Sequence, residues 1–208
     1  MINWLEDNWQ ILSSGYADDS ITNALWKTIK LHYTSKNRHY HNLSHIHNML
    51  HQLEDIKMEI EDLDSLKFAI WFHDIIYKST NKDNEEQSAV FAENALKSLN
   101  FDNFRIKKVK KLIISTKKHE LVLVENYDNA YLLDLDLSIL STDWETYNVY
   151  IQNIRKEYKI YPNILYKPGR KKVLMHFLER DSLFFTERFK TKFENQAREN
   201  LKKEIEML

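Results

Sequence analysis

Phe68-Ala69-Ile70-Trp71-Phe72-His73-Asp74-Ile75-Ile76-Tyr77 is an apolar run in which an imidazole and a carboxylate stand side by side. Asp62-Leu63-Asp64 precedes the run and can open a helix that carries it into the core. Burying His73 and Asp74 without a partner would cost several kcal/mol, and a metal ion would supply that partner. The remaining ligands are offered upstream by His41-Asn42-Leu43-Ser44-His45 and downstream by Asp134-Leu135-Asp136.

The composition of the chain predicts an all-α fold. Of its 208 residues, 2 are glycine and 2 are proline, so it cannot supply the frequent turns of a β-sandwich or barrel. Long helices joined by short polar loops fit this composition better. A chain of this length forms one domain with a substantial core, or one domain with an extension. We predict a single domain over 1–208, with 162–208 as accessory helices.

Helical periodicity and capping residues predict where the helices lie. The one clear break is bracketed by Tyr161-Pro162 and Lys167-Pro168-Gly169, and two helices follow it, the last from about Thr186. Asn84 is predicted to be the N-cap of its helix. The earlier helices run from Asp18-Asp19-Ser20 to about Thr34, from about Leu43 to Ile56, from Asp62 through His73-Asp74, from Asn84 to near Asn100, from Asp102 to about Lys118, from Asp128 to Leu140 and from Asp143 to about Ile160.

The charge balance and the absence of cysteine exclude several classes of protein. Lysine and arginine total 30 and aspartate and glutamate 31, so a globally basic surface for nucleic acid is not expected. Without cysteine there are no disulfides and no thiolate metal sites. The N-terminus does not read as a signal peptide, and no apolar stretch approaches the ~20 residues of a membrane span. We predict a cytoplasmic protein without a membrane segment.

The histidines and carboxylates named above come from different predicted helices. Side chains that converge from facing helices can build a metal site in a helical core. Mixed nitrogen and oxygen ligands suit a divalent transition ion such as Mn, Fe, Co, Ni or Zn and do not choose among them. Asp134 and Asp136 cannot share one helix face, so the sequence leaves open which of the two is the ligand.

The order His…His-Asp…Asp on successive helices resembles the HD superfamily of metal-dependent phosphohydrolases. The string Tyr40-His41-Asn42-Leu43-Ser44-His45 is also similar to the YHNxxH segment of cyclic-nucleotide phosphodiesterases. The whole chain resembles an uncharacterised bacterial branch of predicted HD-superfamily phosphohydrolases. The strings that carry this resemblance are Arg38-His39-Tyr40-His41-Asn42, Trp71-Phe72-His73-Asp74, Asn84-Glu85-Glu86-Gln87-Ser88-Ala89, Thr116-Lys117-Lys118-His119, Asp134-Leu135-Asp136-Leu137 and Pro168-Gly169-Arg170.

The resemblance implies a fold and a set of site residues. The fold would be an HD-type helical bundle with its metal-binding core at about 38–140 and extra C-terminal helices. One divalent transition metal is expected, and a second ion is left open. The implied metal ligands are His45, His73, Asp74 and Asp136. His41 would be the general acid, Glu85 or Glu86 would orient the attacking water, His119 would reach a second metal or the substrate phosphate, and Arg38 and Arg170 would clamp phosphate.

The resemblance also implies a reaction, and it leaves two alternatives open. The expected activity is hydrolysis of a small phosphate ester, a nucleotide in the first instance, by attack of metal-bound hydroxide on phosphorus. The enzyme could be a phosphomonoesterase or a phosphodiesterase, and a homo-oligomer is compatible with the sequence. A second reading is a regulatory module that keeps the metal and senses a nucleotide without turnover. A third is a diiron oxygenase.

Overall fold

A computed structural model describes residues 1–123 and 127–208 of the chain. The chain is 71% helical, and the described residues form ten α-helices and no strand. The prediction of an all-α fold is therefore confirmed. None of the helices built from the described residues combines the length and the apolar character that crossing a bilayer requires.

The helices follow one another through short connections. Two short 3-10 helices, Lys57–Glu59 and Ser138–Ser141, lie between them. The α-helices are α1 Ile2–Ser13, α2 Asp19–Tyr33, α3 Leu43–Glu54, α4 Leu63–Phe72, α5 Asn84–Ser98, α6 Asn103–Ser115, α7 Tyr127–Leu137, α8 Trp144–Glu157, α9 Asn163–Leu178 and α10 Glu187–Met207.

The chain forms two compact units, Met1–Leu132 and Leu133–Leu208, and the boundary falls within α7. The sequence had predicted that an accessory segment begins near residue 162, whereas the second unit begins at Leu133. In the first unit, α3, α5 and α6 each pack against α4, and α1 packs against α2. Helix α4 is therefore the centre of this unit, and six of its apolar residues are at most 1 % exposed: Leu66, Phe68, Ala69, Ile70, Trp71 and Phe72.

Aromatic contacts fix the C-terminal half of α4. The indole of Trp9 meets the rings of Phe68, Trp71 and Phe72 edge-on, with ring centroids 5.7–6.1 Å apart. The hydroxyl of Tyr33 donates to the carbonyl of Trp71 at 3.0 Å. Edge-to-face pairs add to the gain from burial. The apolar run thus forms the core, and it delivers His73 and Asp74 at the end of the helix.

Buried charges fix the N-terminal end of α4. Asp62 is its N-cap and accepts from the backbone N–H of Ser65 at 3.1 Å. The guanidinium of Arg105 binds the same carboxylate, with Nε 3.0 Å from Oδ2. Asp128 is fully buried and accepts from the backbone N–H of Glu61 and Asp62 at 2.8 and 3.0 Å. The helix that carries the apolar run therefore starts at a defined residue.

Replacing Asp62 with asparagine should remove an acid-sensitive part of the stability of the first unit. Burial raises the pKa of Asp62, but hydrogen bonds from Arg105 and Ser65 outweigh it and bring the pKa to about 2. A carboxyl with a depressed pKa stabilises the fold above its unfolded pKa, and this contribution is lost as the pH falls from about 4 towards about 2. We expect D62N to be less stable than the wild type by about 2 kcal/mol at pH 6 and equal to it near pH 2.

Urea unfolding followed by tryptophan fluorescence at several pH values measures this difference. The exposed Asp7 provides the control, and D7N should follow the wild-type acid profile. A D62N deficit that stays constant from pH 6 to pH 2 would contradict the proposed ion-pair contribution.

The predicted N-cap at Asn84 is wrong. The N-cap position of α5 is Asp83, which makes no side-chain capping bond, and Asn84 is the first residue of the helix. The Asn84 side chain instead accepts from the backbone N–H of Lys78 at 3.1 Å and donates to its carbonyl at 3.0 Å. The Asn84 side chain therefore bonds the backbone of the loop that follows α4 and does not cap its own helix. Local sequence does not indicate this, because the partner is set by the fold of the loop.

The predicted break across residues 161–169 is wrong in its second half. Pro162 precedes α9 as its N-cap, as expected of a helix start, but Pro168 lies inside α9 and the helix continues to Leu178. A proline inside a helix removes one backbone hydrogen bond and costs about 3 kcal/mol. Packing in the second unit, where α9 and α10 contact each other, offsets that cost.

A buried ionic group holds the second unit together. Glu204 of α10 is 1 % exposed and accepts from Nε and Nη2 of Arg170 at 2.7 and 3.0 Å. The hydroxyl of Tyr147 donates to the same carboxylate at 2.5 Å. Asn200 donates to the carbonyls of Leu140 and Thr142, both at 2.8 Å. Every charge in this group has a partner of opposite sign or a hydrogen-bond donor, as burial demands.

Candidate metal centre

The two polar residues of the apolar run lie where α4 ends. The helix closes at Phe72, and His73 is its C-cap, with its N–H bonded to the carbonyl of Ala69 at 2.9 Å. The imidazole of His73 is 1 % exposed, and the side chain of Asp74 is 13 % exposed. His73 therefore points into the interior, and Asp74 stands at its margin.

The third residue of the candidate centre, His45, lies in α3. Asn42 caps this helix by accepting from the backbone N–H of Ser44 at 2.8 Å. His45 is the third residue of the helix and is 4 % exposed. Because α3 packs against α4, the first turn of α3 brings His45 to the end of α4.

The ligand atoms of these three residues lie close together. Nε2 of His45 and Nε2 of His73 are 3.2 Å apart, and Oδ2 of Asp74 is 3.1 Å from His73 Nε2 and 3.9 Å from His45 Nε2. Ligands bonded to one ion at about 2.1 Å lie about 3.0 Å apart at right angles and about 3.4 Å apart at the tetrahedral angle. His45, His73 and Asp74 thus form a histidine–carboxylate group whose ligand atoms are close enough to share one metal ion.

Hydrogen bonding at the other ring nitrogen favours the same conclusion. Nδ1 of His73 lies 2.9 Å from the carbonyl oxygen of Ile70, which can only accept, so Nδ1 carries the proton. In the neutral ring, Nε2 then presents its lone pair to His45 and to the carboxylate of Asp74. A metal ion bound between these atoms would accept the His73 lone pair, and a backbone carbonyl that orients a ligand histidine is common at metal sites.

The electrostatics of Asp74 match a site for positive charge. Burial raises its pKa, but the imidazoles of His73, His41 and His45 outweigh burial, and the pKa lies well below its usual range. Asp74 is therefore ionised at neutral pH and offers a full negative charge to a bound cation. A carboxylate with two imidazoles suits a divalent transition ion.

Two of the predicted catalytic residues lie beside this group. The ring of His41 is half-buried, stacks on Tyr77 with centroids 4.0 Å apart, and lies 6.3 Å from the ring of His45. Glu85, in the first turn of α5, has a raised pKa, chiefly through burial and further through the charge of Asp74. Both side chains therefore experience the field of the Asp74 carboxylate.

Glu86 and His119 were also predicted as site residues. Glu86 forms an ion pair with Lys117, and this hydrogen bond lowers the pKa of the carboxyl. His119 is half-buried in the connection after α6 and has a left-handed backbone, with φ of 49°. Their roles in catalysis and substrate binding stay predictions.

The two arginines predicted as phosphate clamps bind protein groups. Arg38 is 9 % exposed; its Nη1 donates to the carbonyls of His41 and Asp74 at 3.0 and 2.6 Å, and its Nη2 donates to that of Ile75 at 2.8 Å. Arg170 lies in the second unit, where it forms the bidentate pair with Glu204 described above.

Of the two candidate aspartates, Asp134 has a structural role within the second unit. It is fully buried and accepts from the backbone N–H of Phe185 and Thr186 at 2.7 and 2.8 Å and from the Thr186 hydroxyl at 2.6 Å. Asp136 is half-buried near the end of α7, and its charge raises the pKa of Tyr150 after the larger effect of burial. Its place as the fourth ligand stays a prediction.

Tyr77 belongs to the surroundings of the centre, although the sequence did not single it out. Its ring supports His41, and the guanidinium of Arg38 lies 5.7 Å from its centroid. Its position at the end of the apolar run, three residues after Asp74, was the available signal. The contact of the Tyr33 ring with the Arg38 guanidinium, at 4.9 Å, depends on tertiary packing, so local sequence does not indicate it.

Comparison of the chain with models of known protein families, with curated proteins and with solved structures finds no match.

Proposed function

We propose that the chain is a metal-dependent phosphohydrolase of the HD superfamily that acts on a small phosphate ester, a nucleotide in the first instance. The observation that carries the proposal is the group formed by His45, His73 and Asp74, whose ligand atoms lie 3.1–3.9 Å apart. Asp136 is proposed as the fourth ligand, as the sequence resemblance implies. The similarity of Tyr40-His41-Asn42-Leu43-Ser44-His45 to the phosphodiesterase segment supports phosphate chemistry over other uses of a metal.

A bound divalent ion would lower the pKa of a coordinated water towards neutrality and polarise the phosphoryl oxygens. The residues around it supply the rest of the chemistry. His41, held by its stack on Tyr77, would protonate the leaving alkoxide, because an imidazole titrates near neutral pH. Glu85 has a raised pKa, which suits a carboxylate that accepts a proton from the attacking water.

Metal analysis combined with a hydrolysis screen tests this function. Protein freed of metal by a chelator should release no phosphate, and Mn, Co, Ni or Mg should restore turnover of at least one substrate among nucleoside monophosphates, cyclic nucleotides and an aryl phosphate. Elemental analysis should find one divalent ion per chain.

Two results would replace the proposal with an alternative. Nucleotide binding without hydrolysis of any phosphate ester bond under every metal would favour a sensing module. Two irons per chain together with oxygen consumption would favour a diiron oxygenase.

A further inference from the structure

Arg38 makes contacts that differ from those expected of a substrate-binding arginine. The two hydrogens of Nη1 are directed to the carbonyls of His41 and Asp74, and Nη2 donates to the carbonyl of Ile75. A phosphate held end-on by the fork of a guanidinium uses these same two nitrogens. Backbone oxygens already occupy that edge of the side chain, and the residue is 9 % exposed.

The carbonyls that Arg38 binds explain why a guanidinium is needed at this point. A helix leaves its last carbonyls without intrahelical partners, and cations near a helix C-terminus also compensate the helix dipole. Asp74 and Ile75 lie beyond the C-cap of α4, where no further helical turn supplies N–H donors, and the guanidinium donates to their carbonyls instead. Lysine could not reproduce a planar fork that donates to both segments at once.

Arg38 also connects the two chemical groups of the proposed site. Its bond to the His41 carbonyl fixes the segment before α3, and its bonds to Asp74 and Ile75 fix the segment after α4. Its guanidinium lies over the rings of Tyr33 and Tyr77, at 4.9 and 5.7 Å, and Tyr77 in turn supports the ring of His41.

We infer that Arg38 is a positioning residue that holds the Asp74 ligand and the His41 general acid in fixed relation to each other, and that it does not bind the substrate phosphate. The catalytic part of this inference rests on the proposed function. The part that concerns Asp74 does not, because a displaced ligand weakens metal binding whatever reaction follows.

Variants of Arg38 test the inference by metal affinity. We expect R38M to bind Co(II) at least tenfold more weakly than the wild type in a titration of the cobalt absorption bands, because three carbonyls lose the guanidinium that donates to them and the Asp74 segment loses this restraint. Inorganic phosphate should bind the cobalt-saturated proteins with equal affinity. If the wild type turns over a substrate, R38M saturated with metal should lose kcat and keep its KM within twofold.

Arg198 offers a matched control in the second unit. Its guanidinium donates to the carbonyls of Leu178, Arg180 and Asp181, so R198M removes the same kind of contact from another part of the chain. We expect R198M to keep the Co(II) affinity of the wild type within twofold. Should R38M fail to fold by circular dichroism, R38K is compared with R198K, and an R38K affinity at least threefold below that of R198K is expected.

The outcomes separate the two roles. If R38M keeps its Co(II) affinity but binds phosphate at least tenfold more weakly, or raises the KM at least tenfold, Arg38 binds the substrate phosphate. That result would overturn the inference. Unchanged Co(II) affinity in the folded Arg38 variants would overturn it as well. Absence of any turnover in the wild type would count against the proposed function and leave the cobalt comparison decisive for Arg38.

Discussion

Replacing His73 with alanine is expected to weaken metal binding by at least about 100-fold and to abolish phosphate release. Loss of a residue that only orients a metal ligand costs about 10–100-fold in affinity, so loss of a ligand should cost at least as much. Nε2 of His73 is the nearer neighbour of each of the other two atoms, at 3.2 Å from His45 Nε2 and 3.1 Å from Asp74 Oδ2, so its removal leaves two atoms 3.9 Å apart.

Thermal unfolding with and without metal measures this loss. A metal at 100 times its Kd stabilises the folded protein by about 2.7 kcal/mol, which raises the Tm of the wild type. H73A should show no such rise at the same metal concentration. His51, exposed on α3, gives the control, and H51A should respond to metal as the wild type does. A full rise in the Tm of H73A would remove His73 from the metal centre.

Replacing Arg170 with methionine is expected to destabilise the protein by about 3 kcal/mol, because it leaves Glu204 buried and without its cation. Glu204 is 1 % exposed, and Arg170 provides two of its hydrogen bonds, at 2.7 and 3.0 Å. The remaining bond, from Tyr147, is a neutral donor and cannot balance the charge. This prediction follows from the observed ion pair and differs from the phosphate-clamp role that the sequence suggested.

A double variant separates loss of the pair from loss of packing. R170M/E204L replaces both charges with apolar groups and should recover most of the stability that R170M loses, since apolar replacement of a buried pair is often neutral. Urea unfolding of the wild type, R170M, E204L and the double variant gives the four free energies of unfolding that a double-mutant cycle requires. If R170M keeps wild-type stability but raises the KM of a phosphate substrate, Arg170 binds substrate and the structural reading fails.

Features that depend on neighbours in the sequence could be predicted. Asp18, Asp102 and Asp143 each precede a helix and accept from backbone N–H groups two or three residues further on. Capping requires only a short polar side chain at the right offset, so a single sequence reveals it. The same holds for the apolar run of α4, whose burial follows from its composition.

Features that depend on tertiary neighbours could not be predicted. Asparagine is a common N-cap residue, but the amide of Asn84 bonds the backbone of Lys78 instead of capping its helix. Arg38 and Arg170 are both guanidinium groups in a chain that resembles phosphohydrolases, and only the fold reveals that carbonyls and Glu204 surround them. His73 could be identified from the sequence because burying an imidazole beside a carboxylate is costly in any fold. That argument requires no knowledge of tertiary neighbours.

The loop that follows α4 has no helix or strand of its own, yet α5 holds it at two points. Ser88 accepts from the N–H of Ile76 at 3.1 Å and donates to its carbonyl at 3.2 Å, and Asn84 makes the same reciprocal pair with Lys78. In an antiparallel β-sheet, two residues opposite each other exchange N–H and C=O hydrogen bonds in the same reciprocal manner through their main chains. Here two side chains replace a partner strand. Beyond the bonds from Arg38, the rigidity of the segment after Asp74 therefore depends on a hydroxyl and an amide. Loss of either would loosen the segment while every metal ligand remained in the sequence.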